Sequence, residues 1–234
     1  MSQTVILQPA FLIHQMPMAE NDAVFTFFSR DYGRIRLWAR GKLSFDAELL
    51  LFQQYLINWR GTSEQCSLTG LELVENHRIQ VSSISSRNLY SCFYLSELLL
   101  FLPLNQASES LFTMMEWALA SLQSEALADP ILRIFERELL LESGVVASFD
   151  LDALTGQRLD SESRYNTISL SGNSYGFSKH SNGQFSGHSL IELGRNNLSD
   201  AAILSEIKHL MRPLIQNLIG HRKLTSRGLF RKLN

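Results

Sequence analysis

Between Asp22 and Lys42 the chain carries a strand, a turn and a second strand, and the rest of the sequence has to accommodate that hairpin. Val24, Phe25, Phe27 and Phe28 are apolar residues that favour extended backbone. Asp31-Tyr32-Gly33 breaks the run, and Gly33 can take a positive φ without steric cost. Beyond the turn, Arg34, Arg36, Trp38 and Arg40 alternate with Ile35, Leu37 and Ala39. A period of two sends the second set toward a core and the first onto one open face. Three guanidiniums and an indole on one face suit phosphates and bases. The same pattern also describes a solvated strand face with scattered charge.

Other strand-like runs surround the hairpin within the first 80 residues: Val5 to Leu7, Ala10 to His14, Leu49 to Trp59 and, more weakly, Ser67 to Val74. About five short strands joined by glycine turns predict a small closed barrel such as an OB-fold. Gly41 to Glu48 is expected to be a mobile loop between strands.

Near Ser82 the apolar period changes from two to between three and four. From Ser86, Leu89, Tyr90, Phe93, Tyr94, Leu98 and Phe101 cover most of a helix circumference, which predicts a central, buried helix ended by Pro103. Ser108 is placed to cap a second helix. Asp129-Pro130 reads as N-cap and first residue of a third, which ends before Gly144. Residues 145–195 turn rich in Ser, Asn and Gly and read as a small polar β insertion. Ser199 is expected to cap a last long helix that Pro213 kinks or restarts before Gly220. The organisation is α+β: a barrel over 1–80, then a mainly helical domain over 81–234 that contains the insertion and a basic tail, 220–234.

Hydrophobic residues make up 45% of the 234, enough for a real core. Net charge is −2, but its distribution is uneven. No acidic residue follows Glu206, and the tail beyond it carries +7, leaving −9 on the first 206 residues. Such asymmetry predicts an anionic partner for the tail, or a tail lying against its own acidic body. Arg222, Lys223 and Arg227 are the tail candidates for that partner. Cys66 and Cys92 form no metal pattern, and a reducing cytoplasm with both thiols buried fits them. The first residues do not read as a signal peptide, and the oily run Phe93 to Leu104 is too short for a membrane span.

Few residues in the sequence fall into a pattern that chemistry would require. Gly172-Asn-Ser-Tyr-Gly176 matches the nucleophile-elbow spacing, but a turn-rich stretch follows where a helix is required, so Ser174 is expected in a hairpin turn. Six histidines show no ligand spacing, and His180 and His188 are expected to face solvent. Nothing assembles an enzyme. Arg133 and Arg137 lie one turn apart beside the apolar face of the third helix, near Glu136 and Glu138. They read either as a cationic rim for an acidic, aromatic-ended peptide or as partners in ion pairs that serve the fold.

Taken in order, several segments resemble the bacterial RecO family of recombination mediators. They are Ala10 to His14, Tyr32 to Lys42, Phe93 to Leu98, Leu132 to Leu139, Met211 to Leu214 and Leu224 to Phe230. The resemblance implies an N-terminal OB-fold, a helical domain and a small β or zinc-ribbon insertion. It implies binding of single- and double-stranded DNA, strand annealing, and loading of RecA together with RecR. It also implies docking of the acidic tail of single-stranded-DNA-binding protein on the helical domain, with Arg133 and Arg137 as the candidate contacts. Arg34, Arg36, Trp38, Arg40 and Lys42 are the barrel's DNA candidates. Some relatives carry four zinc-binding cysteines in the insertion; residues 144–198 contain none, so no metal and no cofactor is expected. The expected function is a non-enzymatic, cytoplasmic repair mediator with no membrane role. The alternative is an interaction adaptor with little DNA affinity, and a hydrolase at Ser174 is a distant third.

Overall fold

The computed structural model describes residues 3–18, 22–40, 49–62, 65–124 and 126–230; of Arg227 and Phe230 it describes the backbone only. The chain forms two compact units. One holds the residues up to Ala126 together with those from Leu224 onward, and the other runs from Leu127 to Lys223.

The first unit is built on strands β1 (Gln3–Pro17), β2 (Ala23–Ser29), β3 (Gly33–Ala39), β4 (Gln54–Gly61) and β5 (Cys66–Leu73). They close into a barrel in the order β1-β2-β3-β5-β4. This is the OB-like barrel expected from the sequence, within an α+β fold. The two expected pieces at 5–7 and 10–14 are one long strand that pairs with both β2 and β4. A register shift between Val5 and Gln8 bends it, and there Leu7 adopts φ 52° while its N–H donates to Asn58 Oδ1 at 2.6 Å.

The barrel interior is filled by Leu12, Phe27, Leu37, Ile57 and Trp59. In β3 the alternation is as expected: Ile35, Leu37 and Ala39 are buried, while Arg34, Arg36 and Trp38 are not. Nearly every residue of β2 is buried, because both of its faces are covered. Phe25 and Phe27 belong to the barrel core, whereas Phe28 and Phe11 lie against Phe112 with ring centroids 6.3 and 5.0 Å away.

Phe112 belongs to α2 (Glu109–Gln123), which follows α1 (Ser86–Leu99). Ser85 and Ser108 cap these helices, accepting from the backbone N–H of Asn88 and Leu111. This packing explains why the first unit extends past residue 80. Leu49 to Trp59 is not one strand. Leu51 and Phe52 form a turn, Phe52 has φ 70°, and its ring meets Phe93 of α1 edge-on at 4.9 Å. Cys92 is fully buried in α1, and burial pushes its thiol up to about 12. Cys66 is only half-buried.

A short helix, α6 (Ser226–Phe230), completes this unit. The Glu97 carboxylate of α1 accepts from the N–H and hydroxyl of both Thr225 and Ser226. It thereby holds two N–H groups at the start of α6 that would otherwise lack helical partners.

The second unit contains α3 (Ala128–Glu142), β6 (Arg164–Ser169), β7 (Tyr175–Lys179), β8 (Phe185–Ser186), α4 (Gly187–Gly194) and α5 (Ala201–Ile219). The insertion is a three-stranded antiparallel sheet in the order β7-β6-β8. The third helix begins two residues earlier than expected, with Leu127 at the N-cap. Asp129 therefore lies in its first turn and accepts from Lys208 Nζ at 2.6 Å. Pro130 is tolerated there because first-turn N–H groups need no helical acceptor. Asp200, not Ser199, caps α5, accepting from Ala202 and Ile203. Pro213 lies within α5 on its exposed side, and the helix continues through it.

Candidate nucleic-acid interface

The outward row of β3 divides into residues with different commitments. Arg34 is half-buried, and its Nε donates to the Leu102 carbonyl at 2.8 Å. The Arg34 carbonyl accepts from Asn105 N–H at 2.9 Å. Arg34 thus ties the segment after α1 to the barrel. Arg36 and Arg40 are exposed, and Trp38 between them is half-buried. Lys42 lies outside the described residues.

Arg36 and Trp38 line a cleft of about 420 Å³ on the barrel, together with Tyr32, Trp59, Gln65 and Asn105. Tyr32 packs edge-on against Trp59, with centroids 4.9 Å apart. Sequence reasoning picked out Arg36 and Trp38 by their alternation. It missed Tyr32, Trp59 and Asn105, which come from a turn, another strand and the segment after α1. An aromatic beside the turn glycine was the only local signal for any of them.

The tail candidates do not form one group. Arg222 and Lys223 are exposed in the second unit, and the Arg222 Nε donates to the Ile219 carbonyl at 3.1 Å. Arg227 belongs to α6 in the first unit, and its side chain lies outside the described residues.

On α3, Arg133 Nη1 lies 2.7 Å from Glu136 Oε2; the Arg133 side chain is 12% exposed and that of Glu136 0%. Arg137 Nη1 donates to the Gly194 carbonyl at 2.7 Å, and its Nη2 lies 3.6 Å from Glu138. Arg137 thereby serves a carbonyl at the C-terminal end of α4, where a cation is electrostatically favoured. Both arginines have internal partners.

Ser174 sits between β6 and β7, where Leu170 N–H donates to its carbonyl at 2.7 Å and a strand follows, so the nucleophile elbow is not formed. His180 and His188 are exposed. Among the described residues there is no cluster of metal-ligating side chains, and no helix is long and apolar enough to cross a membrane.

Comparison with known proteins bears on the whole chain. Residues 1–77 match the family model "Recombination protein O N terminal", and residues 85–228 match "Recombination protein O C terminal". A "DNA repair protein RecO" from Nitrosococcus oceani is 33% identical over 235 residues, covering 98% of this chain and 94% of the relative. The protein of the same name from Cellvibrio japonicus is 33% identical, covering 97% of each chain. That from Aromatoleum aromaticum is 31% identical, covering 99% of this chain and 97% of the relative. These names describe DNA repair and recombination proteins, and none describes an enzyme.

Proposed function

Because the chain belongs to the RecO family of DNA repair proteins, we propose that it acts as a recombination mediator that binds single- and double-stranded DNA and anneals complementary strands. In this reading it works in the cytoplasm at the nucleoid. With RecR it helps load RecA onto DNA coated by single-stranded-DNA-binding protein.

The observation that carries the DNA part is the exposure of Arg36 and Arg40 on either side of Trp38, on a closed barrel. Guanidiniums there can each displace counterions from a phosphate, while the indole offers a stacking surface. Arg34 belongs to the same row of β3, with its Nε committed to the Leu102 carbonyl. Lys42, Arg222, Lys223 and Arg227 extend the basic contact in this proposal. The acidic tail of single-stranded-DNA-binding protein is assigned to α3. There its terminal carboxylate would share Arg133 with Glu136, and Arg137 would provide a second cation.

The test is a salt series with labelled single-stranded DNA on the wild type and on Arg36→Ala/Arg40→Ala. Two lost phosphate contacts should weaken binding and flatten the log–log salt slope by roughly 1.4, at about 0.7 per contact on single strands. An unchanged affinity and slope would remove β3 from the DNA site. Absence of wild-type binding would favour the interaction adaptor.

A further inference from the structure

Where β3 meets β5, two residue pairs close the barrel among the described residues, Leu37 with Cys66 and Trp38 with Ser67. Among the described residues, every other neighbouring pair of barrel strands shares seven. Along this short seam lies the cleft of about 420 Å³, lined by residues from both sides of it. That volume falls within the roughly 300–1,000 Å³ of small-ligand clefts.

Its walls are suited to a flat, polar-edged ring. Trp59 is buried and holds Tyr32 edge-on, with the ring planes at 86°. The Tyr32 hydroxyl also accepts from Gln3 Nε2 at 3.3 Å. Tyr32 and Trp38 are each half-buried, so part of each ring remains accessible to a ligand. Gln65 and Asn105, both exposed, bring side-chain amides that can donate and accept at a base edge. Arg36 is the one charged residue among the described residues that line the cleft. A ring, amide edges and one adjacent cation together match a nucleobase joined to its phosphate.

We infer that this cleft receives one unpaired base of a single DNA strand, stacked against Trp38, with Arg36 on the neighbouring phosphate. The inference rests on the DNA-binding reading above and adds a selectivity to it. A base held in a duplex is already paired and stacked, so the cleft contributes to single strands and not to duplex. Base–aromatic stacking of this kind corresponds to roughly five- to hundredfold in affinity per base.

The experiment uses the full chain and three labelled ligands of equal length: oligothymidylate, an abasic strand and a blunt duplex. Affinities are read by fluorescence anisotropy at fixed ionic strength. The wild type should bind oligothymidylate more tightly than the abasic strand. Trp38→Ala should lose roughly five- to hundredfold on oligothymidylate, with the other two ligands nearly unaffected, and Trp38→Phe should retain most of the affinity. In the unsubstituted protein, oligothymidylate should quench the indole fluorescence and the abasic strand should not, a readout independent of how any variant folds. Equal wild-type affinity and quenching with the thymidylate and abasic strands, at a normal salt slope, overturns the cleft assignment and leaves the DNA-binding reading standing. Failure to bind any of the three overturns both.

Discussion

Removing Arg133 should do more damage to the fold than an arginine on a helix surface ordinarily does. Its guanidinium lies 2.7 Å from a carboxylate oxygen of Glu136, whose side chain is fully buried. Arg133→Ala leaves that carboxylate without its arginine in a low-dielectric site. Breaking a buried pair from one side costs about 3–5 kcal/mol. The Arg133 side chain keeps 12% exposure, so water reaches one edge of the pair and the lower end of the range applies, about 3 kcal/mol. At about 2–4 °C per kcal/mol for a chain of this size, the melting temperature should fall by roughly 6–12 °C. Arg133→Ala/Glu136→Gln removes the buried charge and should recover at least half of the loss. Thermal melts by circular dichroism, with urea titrations alongside, measure both variants. A single variant within about 0.5 kcal/mol of wild type, as for an ordinary surface site, would mean that Glu136 does not depend on Arg133. The result also governs how the peptide-docking proposal is tested. A weaker peptide affinity in Arg133→Ala reads folding and docking together, so the comparison has to be made between the double variant and Glu136→Gln alone.

Two further outcomes are expected. A Cβ on Gly33, whose φ is +63°, would lie 1.8 Å from the Gln106 carbonyl oxygen; Gly33→Ala should cost about 3 kcal/mol or more, and a wild-type urea midpoint would contradict it. Burial raises the Glu97 carboxyl, but hydrogen bonds from Ser226 and Thr225 outweigh it and hold the group below its usual value. The contribution of this contact is therefore complete above the unfolded pKa and is lost as pH falls through the folded one. Limited proteolysis at 224–230 should quicken in acid for the wild type and be fast already at neutral pH for Glu97→Ala; equal cleavage of the two proteins at neutral pH would count against it.

Local sequence was informative where one residue's neighbours decide its environment. The β3 alternation was legible because its two faces meet different surroundings, and Arg133 with Glu136 was legible because the pair lies within one helical turn. The partner of Arg34 was not, since Leu102 is 68 residues away. An apolar run reports burial and not conformation, so Leu49 to Trp59 read as continuous strand although Phe52 turns the chain to reach Phe93. The run in β2 was correctly read as extended, but its second covered face depends on Phe112, far along the chain. The parallel seam between β3 and β5 has no local signature, and the cleft beside it collects residues from several separate segments.

The bond from Glu97 to Thr225 spans 128 residues, and this separation sets an order of events during synthesis. At about 5–20 residues per second, roughly 6–25 s of translation separate the two partners. The barrel strands and α1 leave the ribosome early, while α6, which belongs to the same unit, is made after the whole of 127–223. For that interval the Glu97 carboxylate keeps its water, and the surface that α6 will cover stays open to chaperones or to other nascent chains. A message cut short anywhere in the intervening stretch therefore yields a barrel that can form and a first unit that cannot be finished.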